Sequence, residues 1–193
     1  NRVFLDLKLY DIKSTIEETV ARISEHKIDF LTVQGDPSVI EAAINGRKDK
    51  NLKILAVTFL TNQNRYDLDL SLIKRGKLNE LVAERANNAF MAGADGIICS
   101  PLEVSLIRSK NISPYKLIVT PGIRLKNSDE GDQKRFSTPA EAIKAPTEKL
   151  LYTIAIYTGT GIQKPDYLAT VDVDPDSPTY SKVINRLEMP GIG

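Results

Sequence analysis

Short apolar runs alternate with amphipathic stretches through the first 145 residues of the chain. The runs are rich in Leu, Ile and Val, whereas the stretches between them place apolar residues three or four positions apart, which is the spacing of one helix face. The pattern therefore predicts strands that alternate with helices. We expect five strands, the first of them buried, at Val3–Leu7, Ile28–Val33, Leu52–Phe59, Asp95–Cys99 and Tyr115–Thr120.

Capping and breaking residues set the expected ends of the helices. Ser14 is a candidate N-cap, with Glu17 three residues later as its capping-box partner. Pro37 suits the first turn of the second helix, and Gly93 suits the end of a later one. The region 61–77 is a long polar stretch. The helices are expected from Ser14 to about Glu25, from Pro37 to about Gly46, from Leu78 to Gly93, after Pro101, and at Thr138–Ala145.

Strands and helices that alternate at this spacing predict a parallel sheet. Five strands fit either an open doubly wound sheet or part of an eight-stranded barrel, and periodicity alone does not decide between them. Active sites of (β/α)₈ barrels are built from the loops that follow the strands. Polar residues follow all five strands here, which favours an incomplete α/β barrel of the TIM type for residues 1–145: Lys8 and Asp11, Gln34, Thr61 and Asn62, Ser100, and Arg124.

The last part of the chain has a different pattern. Residues 146–193 contain the β-like runs LLYTIAIYT, YLATVDV and KVINRL, and the turn signal DPDSPTY separates the last two. We therefore expect a second region, 146–193, that is β-rich and includes an antiparallel hairpin. Because the chain begins inside a strand without an initiating Met, we also expect it to be truncated.

Composition narrows the classes of partner. The formal net charge is +1, which gives no electrostatic reason to expect nucleic acid as a partner. No apolar run approaches the roughly 18–20 residues that span a bilayer, and no signal-peptide pattern is present, so we expect no membrane association. Cys99 is the single cysteine and lies in an apolar run, which favours a buried thiol in a reducing, cytoplasmic setting.

The first strand carries three charged residues, Asp6, Lys8 and Asp11, in the stretch FLDLKLYDI. Side chains alternate along a strand, so Asp6 and Lys8 should share a face with Phe4, while Asp11 follows in the loop. A lysine between carboxylates is a proton donor and can stabilise a developing carbanion. The spacing alone leaves two interpretations open, a surface ion-pair cluster or a catalytic group.

A second polar stretch, TPGIRLKNSDEGDQKR, follows the fifth strand. Backbone amides at a Pro-Gly turn, together with a guanidinium such as that of Arg124, suit a phosphate group. A solvated loop without a ligand is the alternative.

Four stretches together resemble the orotidine 5′-phosphate decarboxylase family: FLDLKLYDIKST, LAVTFLTN, GADGIICSP and VTPGIRLKNSDEGDQKRFSTPAEAIKA. The resemblance implies a (β/α)₈ barrel that converts orotidine 5′-phosphate to UMP without a cofactor or a metal. It implies Lys8 as the proton donor, Asp6 as the acid beside the substrate carboxylate, and Asp11 as an acid that reaches the neighbouring subunit of a homodimer. It also implies substrate contacts from Ile12, Thr15, Thr61, Pro121, Arg124 and Gln133.

The chain also departs from that family pattern. The strands that precede FLDLK in the family, with an earlier Asp and an earlier Lys, are absent, and so is a later Gly-Arg-Pro strand. From about residue 137 the chain instead resembles the N-terminal part of selenium-binding protein, the methanethiol oxidase family, although residues 146–193 contain no His or Cys. Two alternatives therefore stand beside the decarboxylase: an inactive barrel fragment or fusion, and a Mg²⁺-dependent relative such as hexulose-phosphate synthase.

Overall fold

The computed structural model describes residues 3–110, 113, 115–121, 150–155, 167–172, 177–180 and 182–188. The strands are β1 (Phe4–Leu9), β2 (Phe30–Gln34), β3 (Lys53–Val57), β4 (Gly96–Ile98), β5 (Leu117–Val119), β6 (Leu150–Ala155), β7 (Tyr167–Asp172) and β8 (Val183–Glu188). The helices are α1 (Lys13–Ile23), α2 (Pro37–Gly46), α3 (Arg65–Leu70), α4 (Leu78–Met91) and α5 (Val104–Arg108), and a 3₁₀ turn at Pro101–Glu103 precedes α5.

The first five strands form one parallel sheet in the order β1-β2-β3-β4-β5. Strand order equals chain order, so the sheet never reverses direction as a doubly wound sheet does at its switch point. Because crossovers between parallel strands are right-handed, such an order puts the helices on one face and leaves the other face as the inside of a barrel. The expected incomplete TIM-type barrel is confirmed.

The two faces of this sheet carry two separate apolar clusters. The larger one lies between the sheet and the helices and includes Ile54 and Ala56 of β3, with Val20, Ile40 and other residues of the helices. The smaller one lies on the inner face and consists of Leu55, Val57, Ile98 and Val119, with Phe4, Phe30 and Leu117 packed against it. The odd and even positions of β3 therefore serve different sides, as the two-residue period of a strand requires.

The expectation that the first strand is buried is wrong. Within the described sheet it pairs only with β2, so one of its edges and part of its faces are open, and Leu7 is 50% exposed. Its pairing is also irregular: Leu5 lies opposite Leu31 and Leu9 lies opposite Val33, so the strand bulges between these two positions.

The expected capping box of α1 is wrong. The helix begins at Lys13 after Ile12, no side chain caps it, and Ser14 lies inside the first turn. Glu17 instead accepts a hydrogen bond from Asn45 Nδ2 at 3.3 Å, so its carboxylate links α1 to α2. The Glu17 carboxylate, which the predicted capping box would have used, therefore makes a contact between two helices instead.

The polar stretch at 61–77 contains a helix that the sequence pattern did not predict. In α3, the Asn64 side chain accepts from the Asp67 backbone N–H at 3.1 Å, and Asp67 Oδ2 accepts from the Asn64 N–H at 2.7 Å. This capping box satisfies two amide donors at the helix start. Leu68 is the buried residue that anchors the helix to the body of the protein.

Other predicted features are confirmed. Pro37 opens α2, and Gly93 follows α4 with a φ of +99°, a conformation that favours glycine. Cys99 is fully buried in the cluster under the helices, as expected. Ser100, expected among the polar residues after the strands, is also buried, and its hydroxyl accepts from the Leu102 N–H at 3.3 Å at the start of the 3₁₀ turn.

The three strands after residue 149 form their own antiparallel sheet in the order β6-β7-β8. The predicted hairpin between YLATVDV and KVINRL is confirmed as β7 and β8. The predicted helix at Thr138–Ala145 lies outside the described residues.

Candidate functional site

A cavity of about 230 Å³ opens at the carboxyl ends of the parallel strands. β1, β3, β4 and β5 each supply side chains to its wall, and further side chains come from the segments after β3 and β5. The lining residues are Phe4, Asp6, Lys8, Val57, Phe59, Leu60, Thr61, Asn62, Ile98, Val119 and Pro121. The wall is thus mainly apolar, with one ion pair and two polar side chains, the composition typical of a small-molecule site.

The ion pair joins Lys8 and Asp6. Lys8 Nζ lies 2.5 Å from Asp6 Oδ2, and the side chains are 36% and 37% exposed, respectively. A charge-assisted contact of this length holds the ammonium group at the edge of the cavity rather than free in solvent. The two side chains share a face with Phe4, as strand alternation predicted.

The local backbone conformation orients the side chains of Lys8 and Asp6. Lys8 has a φ of +51°, in the left-handed region that residues other than glycine seldom occupy. Its backbone N–H donates to Thr32 Oγ1 at 2.8 Å, and Thr32 Oγ1 donates to Asp6 Oδ1 at 2.7 Å. Thr32 was not among the predicted site residues because it lies inside an apolar strand. The one sequence signal that could have identified it is that it is a hydroxyl residue between aliphatic neighbours.

The loop after β1 leaves the other predicted residues of this region on the surface. Asp11 is exposed, its Oδ1 accepts from the Ile12 N–H at 2.7 Å, and the described part of the chain provides it with no salt bridge. Ile12 is 70% exposed, and Thr15 is exposed on α1. The structure therefore brings Asp6 and Lys8 together but does not add Asp11 to the pair within one chain.

The segments after β3 and β5 bring Thr61, Asn62 and Pro121 to the cavity. Thr61 is 8% exposed. The Oδ1 atom of Asn62 is buried, and none of the described residues donates a hydrogen bond to it. A buried amide oxygen without a donor is costly, so Asn62 is an unsatisfied polar group beside the cavity.

Most of the chain matches a single protein-family model. Residues 1–150 match the model described as "Orotidine 5'-phosphate decarboxylase / HUMPS family". The chain belongs to this family. The identity explains why the polar side chains meet at the carboxyl ends of the strands, where barrels of this kind place their chemistry.

Curated members of the decarboxylase family are similar over the same part of the chain. The orotidine 5′-phosphate decarboxylase of Ruegeria pomeroyi is 57% identical over 142 residues, which are 74% of this chain and 59% of that protein. The enzyme of Jannaschia sp. is 52% identical over 142 residues, 74% of this chain and 62% of that protein. The chain thus spans about three fifths of the length of these relatives.

A solved decarboxylase and a second family model complete the comparison. The crystal structure of orotidine 5′-phosphate decarboxylase from Lactobacillus acidophilus aligns with a TM-score of 0.61 at 34% identity, covering 76% of this chain and 63% of that one. Residues 130–193 match the model of the 56 kDa selenium binding protein. Both resemblances expected from the sequence are therefore confirmed.

The decarboxylase-family site has an apolar wall that sequence reasoning did not list. Phe4, Val57, Ile98 and Val119 belong to the inner cluster and also line the cavity. The alternation of residues along β3 and its neighbours separates the two faces of the sheet. It does not tell which of the two faces lies inside a barrel. Arg124 and Gln133, expected to bind phosphate, lie outside the described residues.

Among the described residues, every helix is too short or too polar to span a lipid bilayer. No group of three or more His, Cys, Asp or Glu side chains occurs in the same part of the chain in an arrangement that could hold a metal ion.

Proposed function

We propose that this protein decarboxylates orotidine 5′-phosphate to UMP in pyrimidine biosynthesis, without a cofactor, and that Lys8 is the proton donor. The observation that carries the proposal is the Lys8–Asp6 pair at the edge of a largely apolar cavity, at the carboxyl ends of the strands. The decarboxylase names of the Ruegeria and Jannaschia relatives support the choice of reaction.

The chemistry requires a proton where carbon dioxide departs. When the bond between C6 of the pyrimidine and its carboxylate breaks, the electron pair remains on C6. The ammonium group of Lys8 stabilises this charge and transfers one proton to C6. Lys8 is then neutral, and because its side chain is about one third exposed it can recover a proton from solvent.

Asp6 has two functions in this scheme. Its Oδ2 holds the ammonium group of Lys8, and its charge lies where the carboxylate of the substrate would approach. Two like charges at the edge of a largely apolar cavity repel each other, so loss of carbon dioxide relieves an unfavourable contact. The side chains of Val57, Ile98 and Val119 make this part of the cavity wall apolar.

Four further predicted residues hold the substrate in place. We assign Thr61, with Pro121, to the pyrimidine, because both line the cavity. The assignment of Arg124 and Gln133 to the phosphate rests on the family resemblance. Phosphate binding would supply energy for ordering the site around the reacting carbon.

The decisive experiment compares Lys8→Ala with Lys13→Ala. Lys13 is a matched control because it is an exposed lysine of α1, paired with Glu17 rather than with Asp6. Loss of orotidine 5′-phosphate is followed by ultraviolet absorbance. We expect Lys8→Ala to lower kcat about 100- to 10,000-fold, the range for removal of a general acid, and Lys13→Ala to leave it unchanged.

Three results would contradict the proposal. Equal rates for the wild type and Lys8→Ala would exclude Lys8 as the donor. A wild-type chain that neither consumes orotidine 5′-phosphate nor binds UMP in calorimetry would instead be the inactive fragment named above. Turnover of a sugar phosphate that depends on Mg²⁺ would favour the synthase.

We further propose a homodimer in which Asp11 enters the site of the partner subunit. Asp11 makes no ion pair with any described residue of its own chain, and it lies between two large side chains, Tyr10 and Ile12, that are each 70% exposed. Adjacent exposed apolar side chains of this size are typical of an interface. The dimer would add a second carboxylate beside Lys8.

We also propose that the decarboxylase region ends near residue 145 and that 146–193 is a separate β-rich region. The separate hydrogen-bonded sheets support this division, and limited proteolysis that cuts anywhere but near 145 would contradict it. A cytoplasmic location is supported by the single cysteine of the chain, Cys99, which is buried; recovery in a membrane or secreted fraction would exclude it.

A further inference from the structure

We propose that Thr32 is a positioning residue for the Lys8–Asp6 pair, and that its hydroxyl aims the ammonium group into the cavity. The kinetic part of this proposal rests on the proposed function, whereas its structural part does not. The geometry points to one hydroxyl that joins the backbone of the lysine to the side chain of the acid.

The pairing of β1 with β2 shows why a side chain is needed there. Leu5 lies opposite Leu31 and Leu9 lies opposite Val33. Three residues of β1, Asp6–Lys8, therefore lie opposite Thr32 alone. A strand with extra residues cannot give each of its amides a backbone acceptor in the ladder, so an amide in the bulge needs another partner.

The Thr32 hydroxyl supplies that partner and uses its own proton as well. It accepts from the Lys8 N–H at 2.8 Å and donates to Asp6 Oδ1 at 2.7 Å. Only a group that both accepts and donates can make these two bonds. Asp6 is then held at both oxygens, because its Oδ2 meets Lys8 Nζ.

The conformation of Lys8 makes this support necessary. A φ of +51° is strained for a lysine and persists only where the surroundings over-determine it. The bond from the Lys8 amide to Thr32 holds the backbone in this conformation, and the clamped carboxylate holds the other end of the side chain. Thr32 is completely buried, so water cannot replace its hydroxyl easily.

Packing alone does not explain a threonine at this position. The neighbours in β2, Leu31 and Val33, are fully buried aliphatic residues, and a valine would fill the same volume as Thr32. A valine would leave the Lys8 amide without its acceptor and release one oxygen of Asp6. The polar residue is therefore explained by the two bonds it makes.

The test uses Thr32→Val, Thr32→Ser and a matched control, Thr58→Val. Thr58 is also a buried threonine, it directly follows β3, and its hydroxyl donates to the Ile98 carbonyl at 2.8 Å. Both valine variants thus lose a buried hydroxyl, but only one of them loses contact with Lys8 and Asp6.

The first measurement needs no substrate. Hydrogen exchange of the Lys8 amide is followed by NMR in the full chain, with amides of Ile16 and Val20 as reporters of global opening. We expect Thr32→Val to accelerate exchange at Lys8 about five- to tenfold more than at the two reporters, which is the effect of losing one hydrogen bond. Thr32→Ser and Thr58→Val should show no such excess.

The second measurement is the split between kcat and KM with orotidine 5′-phosphate. Misplacing a reacting group by about 1 Å can cost roughly 100-fold in rate. We expect Thr32→Val to lower kcat about 10- to 100-fold with little change in KM, Thr32→Ser to restore most of it, and Thr58→Val to keep the wild-type kcat.

The two measurements separate the possible failures. Unchanged exchange at the Lys8 amide in Thr32→Val would overturn the structural part, whatever the activity. Faster exchange with an unchanged kcat would overturn the positioning role, while the assignment of Lys8 as donor would stand. If the wild type shows no turnover, the proposed function fails, and the exchange result still decides whether Thr32 holds the pair.

Discussion

The backbone of Lys8 and that of Leu72 are the described non-glycine positions with positive φ. Leu72 lies in an exposed turn after α3, where its side chain is 91% exposed and nothing holds it against a ligand. Lys8 differs because its amide, its ammonium group and the adjacent carboxylate are all bonded. At the scale of one residue, the strain coincides with the group that we propose as the proton donor, and such strain concentrates at functional sites.

Close approach of the backbone leads to a prediction at Gly46. A Cβ at this position would lie 2.3 Å from the Glu17 carbonyl oxygen, so α1 and α2 would have to separate. We expect Gly46→Ala to lower the free energy of unfolding by about 1–3 kcal/mol, the usual effect of overpacking. The measurement is chemical denaturation followed by circular dichroism.

Gly93→Ala is the matched control for this substitution. A Cβ at Gly93 would meet only Ile44, at 3.5 Å, so the cost there comes from the φ of +99° and not from a clash. We expect about 1–2 kcal/mol from that strain. A Gly46→Ala protein as stable as the wild type would contradict the close packing of α1 on α2.

At the scale of elements, α3 is stabilised by polar contacts more than by burial. Arg65 donates to the carbonyls of Ile73 and Lys74 at 3.2 Å each, which ties the helix to the following loop, and its Nη2 lies 2.7 Å from Asp69 Oδ1. That hydrogen bond to Arg65 is the largest cause that lowers the pKa of Asp69 below its usual 3.8.

This lowered pKa predicts a direction for acid sensitivity. A carboxyl whose pKa is lower in the folded state contributes stability above its unfolded pKa and loses that contribution as the pH falls through the folded value. We expect the titration midpoint of Asp69, measured by carbon NMR, to lie below 3.8 and to rise toward it in Arg65→Gln. An equal midpoint in both proteins would contradict the pairing. Because Asp69 is well exposed, the effect on stability is small.

Strand and helix order could be predicted from the sequence, whereas the details that depend on contacts between elements could not. Pro37 and Gly93 act through their own backbones, so their positions were predicted correctly. Ser14 and Glu17 formed a valid local motif, but Asn45 of the neighbouring helix engages Glu17. Helix α3 was missed because Leu68 is its one buried residue and gives no apolar periodicity.

The candidate site was predictable to a similar extent. Alternation along β1 correctly placed Asp6 and Lys8 on one face. The bulge opposite Thr32 was not predictable, because it depends on how two distant strands align, and register is a property of the sheet. The inner wall of Val57, Ile98 and Val119 required knowledge of which face of the sheet lies inside.

At the scale of the whole molecule, the parallel sheet has one face covered by helices and one face that forms the cavity. Gly96 of β4 contributes to the inner packing, since a Cβ there would lie 2.6 Å from Leu117 Cβ and 2.7 Å from Leu55 Cδ2. The absence of a side chain lets β3 and β5 bring large residues together across β4. The inner face is therefore a packed wall and not an open groove.

The proposed dimer is the prediction at this scale. We expect the wild type to sediment as a dimer and Ile12→Asp to shift it toward monomer, because a charge would replace an apolar side chain that is 70% exposed in one chain. Tyr66→Asp is the control, since Tyr66 is 67% exposed and belongs to α3 rather than to the loop that carries Asp11 and Ile12. A wild type that remains monomeric at micromolar concentrations would exclude the dimer.

The single thiol described above is an internal probe of local opening in the layer between the sheet and the helices. Cys99 has no solvent exposure and sits in the cluster between the sheet and the helices, so a labelling reagent reaches it only when that layer opens. The rate of alkylation therefore measures opening events without any engineered dye or substitution. A comparison of the alkylation rate with and without UMP would show whether ligand binding makes these opening events less frequent.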